Sequence, residues 1–283
     1  MMQKKVLKNI IHYNDCWFRN CFYQQLVAAY GAFGIPADYV VCNYTIDIDF
    51  SDDNETLDIR EHEILDEDEF SALTGICQKR VRFEDVCKQL CTAVRSGNPV
   101  ILGADSFYLP TRTQYYNQKH APHYLLVYEF DLKRKMFTVG ENDGIAIFHF
   151  TEKEVPFDVI EQTYHSFEER FASPDSAVQL EIAKKCPLYL RADALNKLKK
   201  DFCERNYIQY VSFYRMLLEK SWTVEELSSW LEFAIKYTNF FRILMKQCSY
   251  MFGEPKKLNV LADIWHDALS SLEILQFASV NLN

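Results

Sequence analysis

Hydrophobic positions between residues 16 and 31 (Cys-Trp-Phe-Arg-Asn-Cys-Phe-Tyr-Gln-Gln-Leu-Val-Ala-Ala-Tyr-Gly) fall on most faces of a helix. That pattern predicts a buried central helix, capped at its start by Asn14 or Asp15 and stopped by Gly31. Residues 39–50 alternate towards their end, as a strand does. Residues 84–96 predict an amphipathic helix closed by Gly97. Pro99 to Ala104 read as a short buried strand, followed by the turn-rich Asp105-Ser-Phe-Tyr-Leu-Pro110. Tyr124–Phe130 and Met136–Gly140 predict a β-hairpin across the charged turn 131–135, with a further strand over 145–150.

Beyond about residue 170 the pattern turns helical. One long helix or two short ones cover 191–219. Another starts at the capping box Thr223-Val-Glu-Glu226 and stops near Gly253 and Pro255, and a third covers about 257–278. Trp230, Phe233, Ala234, Tyr237, Phe241 and Leu244 keep helical spacing and read as the core of a bundle. The expected fold class is α+β: a central helix on an antiparallel sheet over residues 1–170, then a helical domain over 171–283.

Composition narrows the function. The chain has 283 residues, 48% of them hydrophobic and 25% charged, which suits a globular protein. Aromatic content is 15%, with 21 Phe and 17 Tyr, which serves either a well-filled core or an apolar substrate channel. A net charge of −9 argues against a nucleic-acid surface and permits a small cationic partner. Twelve carboxylates lie between Asp47 and Glu69, with Arg60 the only Lys or Arg among them. Their spacing fits no EF-hand loop and the stretch lacks Gly, so a solvated acidic loop or β-hairpin is expected rather than a calcium site. The nine cysteines form no CxxC pair, which excludes a zinc ribbon or a thioredoxin-like motif, and such usage suits a reducing cytosol. The N-terminal residues lack the apolar region of a signal peptide, and no apolar run reaches the ~20 residues of a membrane span. A cytoplasmic protein without a membrane partner is expected.

Two short stretches carry candidate chemistry. Cys16 stands where the central helix begins, and helix N-terminal amides favour a thiolate. His123, in His120-Ala-Pro-His123, stands where a buried strand begins. A thiol facing an imidazole is the arrangement of a Cys-His nucleophile. A general-base histidine needs an acid on its other nitrogen. The hairpin returns its end, Glu141-Asn-Asp143, towards His123, which makes Glu141 the preferred acid and Asp143 the second choice. His120 and His123 as a metal pair lack a third ligand, and Pro122 breaks any helix that would align them, so neither metal nor cofactor is expected.

These blocks resemble the butirosin-biosynthesis acyltransferase N-terminal family, itself similar to the papain-like fold of bacteriocin-processing cysteine peptidases. The match rests on Asp15-Cys16 with Tyr30-Gly31, and on Gly103-Ala-Asp-Ser-Phe-Tyr-Leu-Pro110 with His120-x-x-His-Tyr-Leu-Leu-Val-Tyr128, over roughly residues 10–165. The resemblance implies acyl transfer from an acyl or peptidyl carrier-protein thioester to a small amine, in antibiotic or nonribosomal-peptide biosynthesis. It implies Cys16 as nucleophile, His123 as base and Glu141 as orienting acid, with His120, Asp105 and Tyr108 contacting substrate. The glutamine with which papain-like enzymes stabilise the oxyanion falls at Ile10 here. His12 or Asn14, with the Cys16 amide, are its candidate substitutes. That departure keeps a binding module open as an alternative, and a peptidase or thioester hydrolase shares the same nucleophile.

Overall fold

The computed structural model describes residues 3–14, 21–50, 57–143, 149–171 and 173–183, with positions 196–198, 200–202, 204–205, 267 and 270–271. The chain is a mixed α+β protein of two compact units. One comprises Met1–Asn43 with Ile64–Lys199, the other Tyr44–Glu63 with Lys200–Asn283.

The first unit is built on one antiparallel sheet. Its strands are β1 (Lys4–Val6), β4 (Ile76–Arg80), β5 (Val100–Asp105), β6 (Pro122–Asp131), β7 (Met136–Asp143), β8 (His149–Pro156) and β9 (Ala177–Ile182). The order is β4-β9-β5-β6-β7-β8, and β1 pairs the stretch of β6 beyond the part that β5 occupies. The centre is apolar: Val100, Ile101, Leu102, Leu125, Leu126 and Val127 are wholly buried. A bulge between Val127 and Glu129 shifts the β6–β7 register. The edge strand β8 carries Thr151-Glu-Lys-Glu154, charges that blunt an open edge.

Helix α1 (Cys21–Gly31) packs on β6, β5 and β7. Its residues from Tyr23 to Gly31 are all buried, as the pattern of the central helix predicts. Gly31 admits the N-terminal segment at close range, since a Cβ there would lie 2.5 Å from the Asn9 carbonyl oxygen. Helix α4 (Val86–Arg95) is N-capped by Asp85, whose carboxylate accepts from the Lys88 amide. Its apolar face, with Val86, Leu90 and Val94, is buried. Helix α3 (Glu67–Thr74) opens on a capping box of Asp66 and Glu69 and closes on Gly75 in the left-handed region.

Some elements depart from the sequence pattern. The alternation at 39–50 covers a short helix α2 (Ala37–Cys42) and then strand β2 (Tyr44–Phe50). Pro36 presets the entry to α2, and Tyr23 Oη donates to the Val40 carbonyl, so tertiary contact overrides a β-prone run. Of the strand expected over 145–150, residues 145–148 lie outside the described residues, and the last two open β8. Helix α5 (Phe157–Phe171), with its β-branched and aromatic residues, precedes β9, which carries the sheet past residue 170 by inserting between β4 and β5.

In the second unit, β2 pairs antiparallel with β3 (Leu57–Glu63), so the acidic stretch is a β-hairpin. The helices expected over 191–278 lie outside the described residues, apart from isolated helical positions.

Candidate functional site

Polar groups collect where β5 ends and β6 begins. The β5–β6 register pairs Ala104 with His123 and Asp105 with Pro122. Residues 106–121, which join the strands, therefore close back on themselves: the Ser106 amide donates to the Ala121 carbonyl at 2.9 Å. Helix α1 arrives at the same place. The Phe22 ring meets the Tyr124 ring edge-on at 5.1 Å.

His123 is only 3% exposed, and its buried Nε2 has no hydrogen-bond partner among the described residues. Burial, seconded by the Arg112 charge, pushes its pKa down to about 3, so the ring is neutral at physiological pH. This is not an environment that favours the imidazolium of a resting ion pair. Arg112 reaches across the site: its Nη1 donates to the Asn142 carbonyl at 2.8 Å, while its buried Nε has no partner among the described residues. Gln25 of α1 donates to Asn142 Oδ1 at 3.5 Å, and its own buried Oε1 likewise has no partner among the described residues. Three orphaned polar atoms thus belong to groups linked through Asn142 and the Arg112 charge. Leaving such a group unbonded costs about 1–3 kcal/mol each, which a protein retains where a ligand meets them.

Glu141 is 1% exposed, and its Oε2 accepts from Thr111 Oγ1 at 2.9 Å. It ties the 106–121 connection to β7. Among the described residues it makes no hydrogen bond to His123; its carboxylate is turned to Thr111 instead. Asp143 ends β7 opposite His149; its side chain lies outside the described residues. Cys16 also lies outside them.

His120 and Asp105, fifteen residues apart in the chain, are joined directly: His120 Nδ1 lies 2.6 Å from Asp105 Oδ2. Tyr108 approaches the same imidazole, ring centroids 6.1 Å apart. The candidates for the missing glutamine are engaged elsewhere. Asn14 Oδ1 accepts from the Phe150 amide at 2.8 Å, and His12 sits against Phe150 with Nε2 3.5 Å from Glu152.

The described thiols with a shifted ionisation are all shifted upwards by burial. Cys21 and Cys77 are raised, Cys91 is pushed up to about 11 and Cys87 to about 12. None of them is activated. Among the described residues no cluster of three or more His, Cys, Asp or Glu is placed to hold a metal. No helix there is long and apolar enough to cross a membrane.

The profile of the DUF1839 N-terminal domain matches residues 8–178, which includes all of this site. The chain belongs to the DUF1839 N-terminal domain family. No curated protein matches it. The match begins after β1 and ends within β9, so the matched stretch contains strands β2 to β8 and helices α1 to α5. The sequence pattern missed two residues of its site. Gln25 and Arg112 carry no motif; they are recognisable only once α1 and the 106–121 connection are packed on the same strand end.

Proposed function

We propose that this chain is a cysteine-dependent acyltransferase that takes an acyl group from a carrier-protein thioester to an amine through an acyl-cysteine on Cys16. The observation that carries the reading is the buried His123, whose Nε2 has no hydrogen-bond partner among the described residues, on the strand β6 against which the helix that follows Cys16 packs. The low pKa makes the ring a weak base in the free chain; a thiolate formed beside it raises that pKa by opposite-charge attraction, towards the range in which a general base works. An α1 helix packed on an antiparallel sheet supports a papain-like arrangement, and the resemblance to the butirosin acyltransferase family supports the reaction class. The upward shift of the Cys21 thiol favours Cys16 over its neighbour.

In this mechanism His123 Nε2 takes the Cys16 thiol proton, and the sulfur attacks the thioester carbonyl. The donor C–S bond breaks, and the donor thiol leaves with the proton from His123. The acceptor amine then displaces Cys16. The unpartnered Arg112 Nε–H is a donor suited to the oxyanion, in the part that glutamine plays where this chain has Ile10. Glu141 steadies the segment that carries Arg112 through Thr111.

The test is product analysis with an N-acetylcysteamine acyl thioester, with and without added amine. Amide formation by the wild type, lost in Cys16→Ser and His123→Gln and kept in Cys21→Ser, is the expected result. Free acid alone makes the chain a hydrolase. No turnover, with binding that survives Cys16→Ala, makes it a binding module, the reading that Ile10 favours.

A further inference from the structure

A second histidine–acid pair is assembled at the open end of β5 and β6, and the reaction above does not use it. Asp105 is fully buried, yet its carboxylate is held charged. Burial opposes ionisation. Hydrogen bonds from Ser166 Oγ (2.7 Å), His120 Nδ1 (2.6 Å) and the Phe107 amide (3.1 Å) outweigh it and keep the carboxyl below its ordinary range. The Arg170 Nε stands 3.8 Å from the same Oδ2. With an ionised carboxylate on Nδ1, that nitrogen carries the proton of the neutral ring, so Nε2 is the acceptor.

The ring itself is fixed. It stacks on Phe107 at 4.3 Å and 14°, with Tyr108 at its edge. It is also accessible: the His120 side chain is 32% exposed, and among the described residues none hydrogen-bonds Nε2. The charged and titratable groups that face it are Asp105 from β5, Tyr108 from the turn Ser106–Tyr108 and, beyond the carboxylate, Arg170 from α5. A buried acid, an oriented imidazole and a ring nitrogen left to solvent are the base half of a catalytic triad. His123, three residues on, is the opposite case: buried, with no acid on it among the described residues.

We propose that the His120–Asp105 pair is the base that removes the ammonium proton from the acceptor amine before it attacks the acyl-cysteine. The proposal rests on the acyl-transfer reading and names a step within it. An alkylammonium, the dominant form of an aliphatic amine at neutral pH, has no lone pair for attack. Its N–H proton passes to His120 Nε2, giving an imidazolium stabilised by Asp105, and leaves from there to water. The free amine then attacks the thioester carbonyl of acyl-Cys16. The C–N bond forms, the C–S bond breaks, and the second amine proton ends on the Cys16 sulfur by way of His123. No oxidant or further reactant is needed.

The experiment compares two acceptors on the full chain charged with an N-acetylcysteamine acyl thioester: n-propylamine, protonated at neutral pH, and hydroxylamine, already unprotonated there. Loss of a general base costs about 10²–10⁴ in rate. His120→Gln is expected to slow propylamide formation by that order, while hydroxamate formation stays comparable to wild type. The propylamide rate in His120→Gln should climb with pH as the free-amine fraction does, where the wild type levels off. Asp105→Asn, similar in size, gives an independent reading with the same acceptor dependence. Equal losses with both acceptors, or no loss with either, overturn the proposal by reducing the pair to a structural contact. Failure of the wild type to form an acyl-enzyme at all overturns the acyl-transfer reading and this step with it. The two failures are told apart by the acyl-enzyme itself, seen by mass.

Discussion

Burying His123 as a neutral ring has a thermodynamic signature. Its folded pKa of about 3 stands below the ordinary 6.5, so the unfolded chain binds a proton that the folded chain refuses. The contribution to stability is complete above the unfolded value and is lost as pH falls from there towards the folded one. Between pH 7 and pH 5 the unfolded ring passes from mostly neutral to almost fully charged, while the folded ring stays neutral. The linkage relation gives a loss of about 2 kcal/mol over that interval, approaching about 1.4 kcal/mol for each further pH unit. Because pH 5 lies well above the folded value, the figure is set almost entirely by the unfolded pKa. The assay is urea unfolding at both pH values for wild type and His123→Gln, which removes the titrating ring and leaves the other groups in place. Wild type should lose about 2 kcal/mol more than the variant on going to pH 5, a large part of a typical domain's stability. Parallel pH dependences would show that His123 titrates alike in both states and would remove the neutral buried base from the account.

Three further outcomes are expected. Gly103→Ala should cost about 1–3 kcal/mol in chemical denaturation, because a Cβ there would lie 2.4 Å from the Phe167 ring. Ser166→Ala should cost about 1.5–3 kcal/mol and raise the Asp105 pKa, seen as acid unfolding that begins at higher pH, since it removes a 2.7 Å hydrogen bond to a buried carboxylate. Alkylation at neutral pH followed by peptide mapping should leave Cys21, Cys77, Cys87 and Cys91 slow, because burial raises all four thiols.

Local pattern made much of the fold legible. The buried helix ending at Gly31, the helix starting after Asp85, the strand at 100–105 and the hairpin across 131–135 each follow from periodicity and a cap or turn residue. For the acidic run, charge left a loop or a hairpin open, and the pairing of β2 with β3 decides for the hairpin. Other elements depend on distant partners. β9 joins β4 across about a hundred residues of chain and β5 across nearly eighty, and no local period announces a strand's neighbours. Tyr39-Val-Val-Cys42 has strand composition but coils into α2, where Val40 and Val41 are buried.

The site divides the same way. His120, Asp105 and His123 stand out as residues, but their pairing does not. Asp105 meets His120 because the β5–β6 register sets Pro122 opposite Asp105, which brings the residues just before Pro122 back over the carboxylate. Glu141 follows the opposite course. The hairpin does carry it past Gly140 towards that end of the sheet, but the 106–121 connection supplies Thr111 as its hydrogen-bond partner.

The central claim is a covalent acyl-cysteine, and the most direct measurement is intact mass with peptide mapping after brief exposure to an N-acetylcysteamine acyl thioester. The account predicts one acyl group per chain on Cys16, absent in Cys16→Ser and formed far more slowly in His123→Gln. An unmodified wild-type chain, or an adduct that maps to Cys21 and persists in Cys16→Ser, would contradict it.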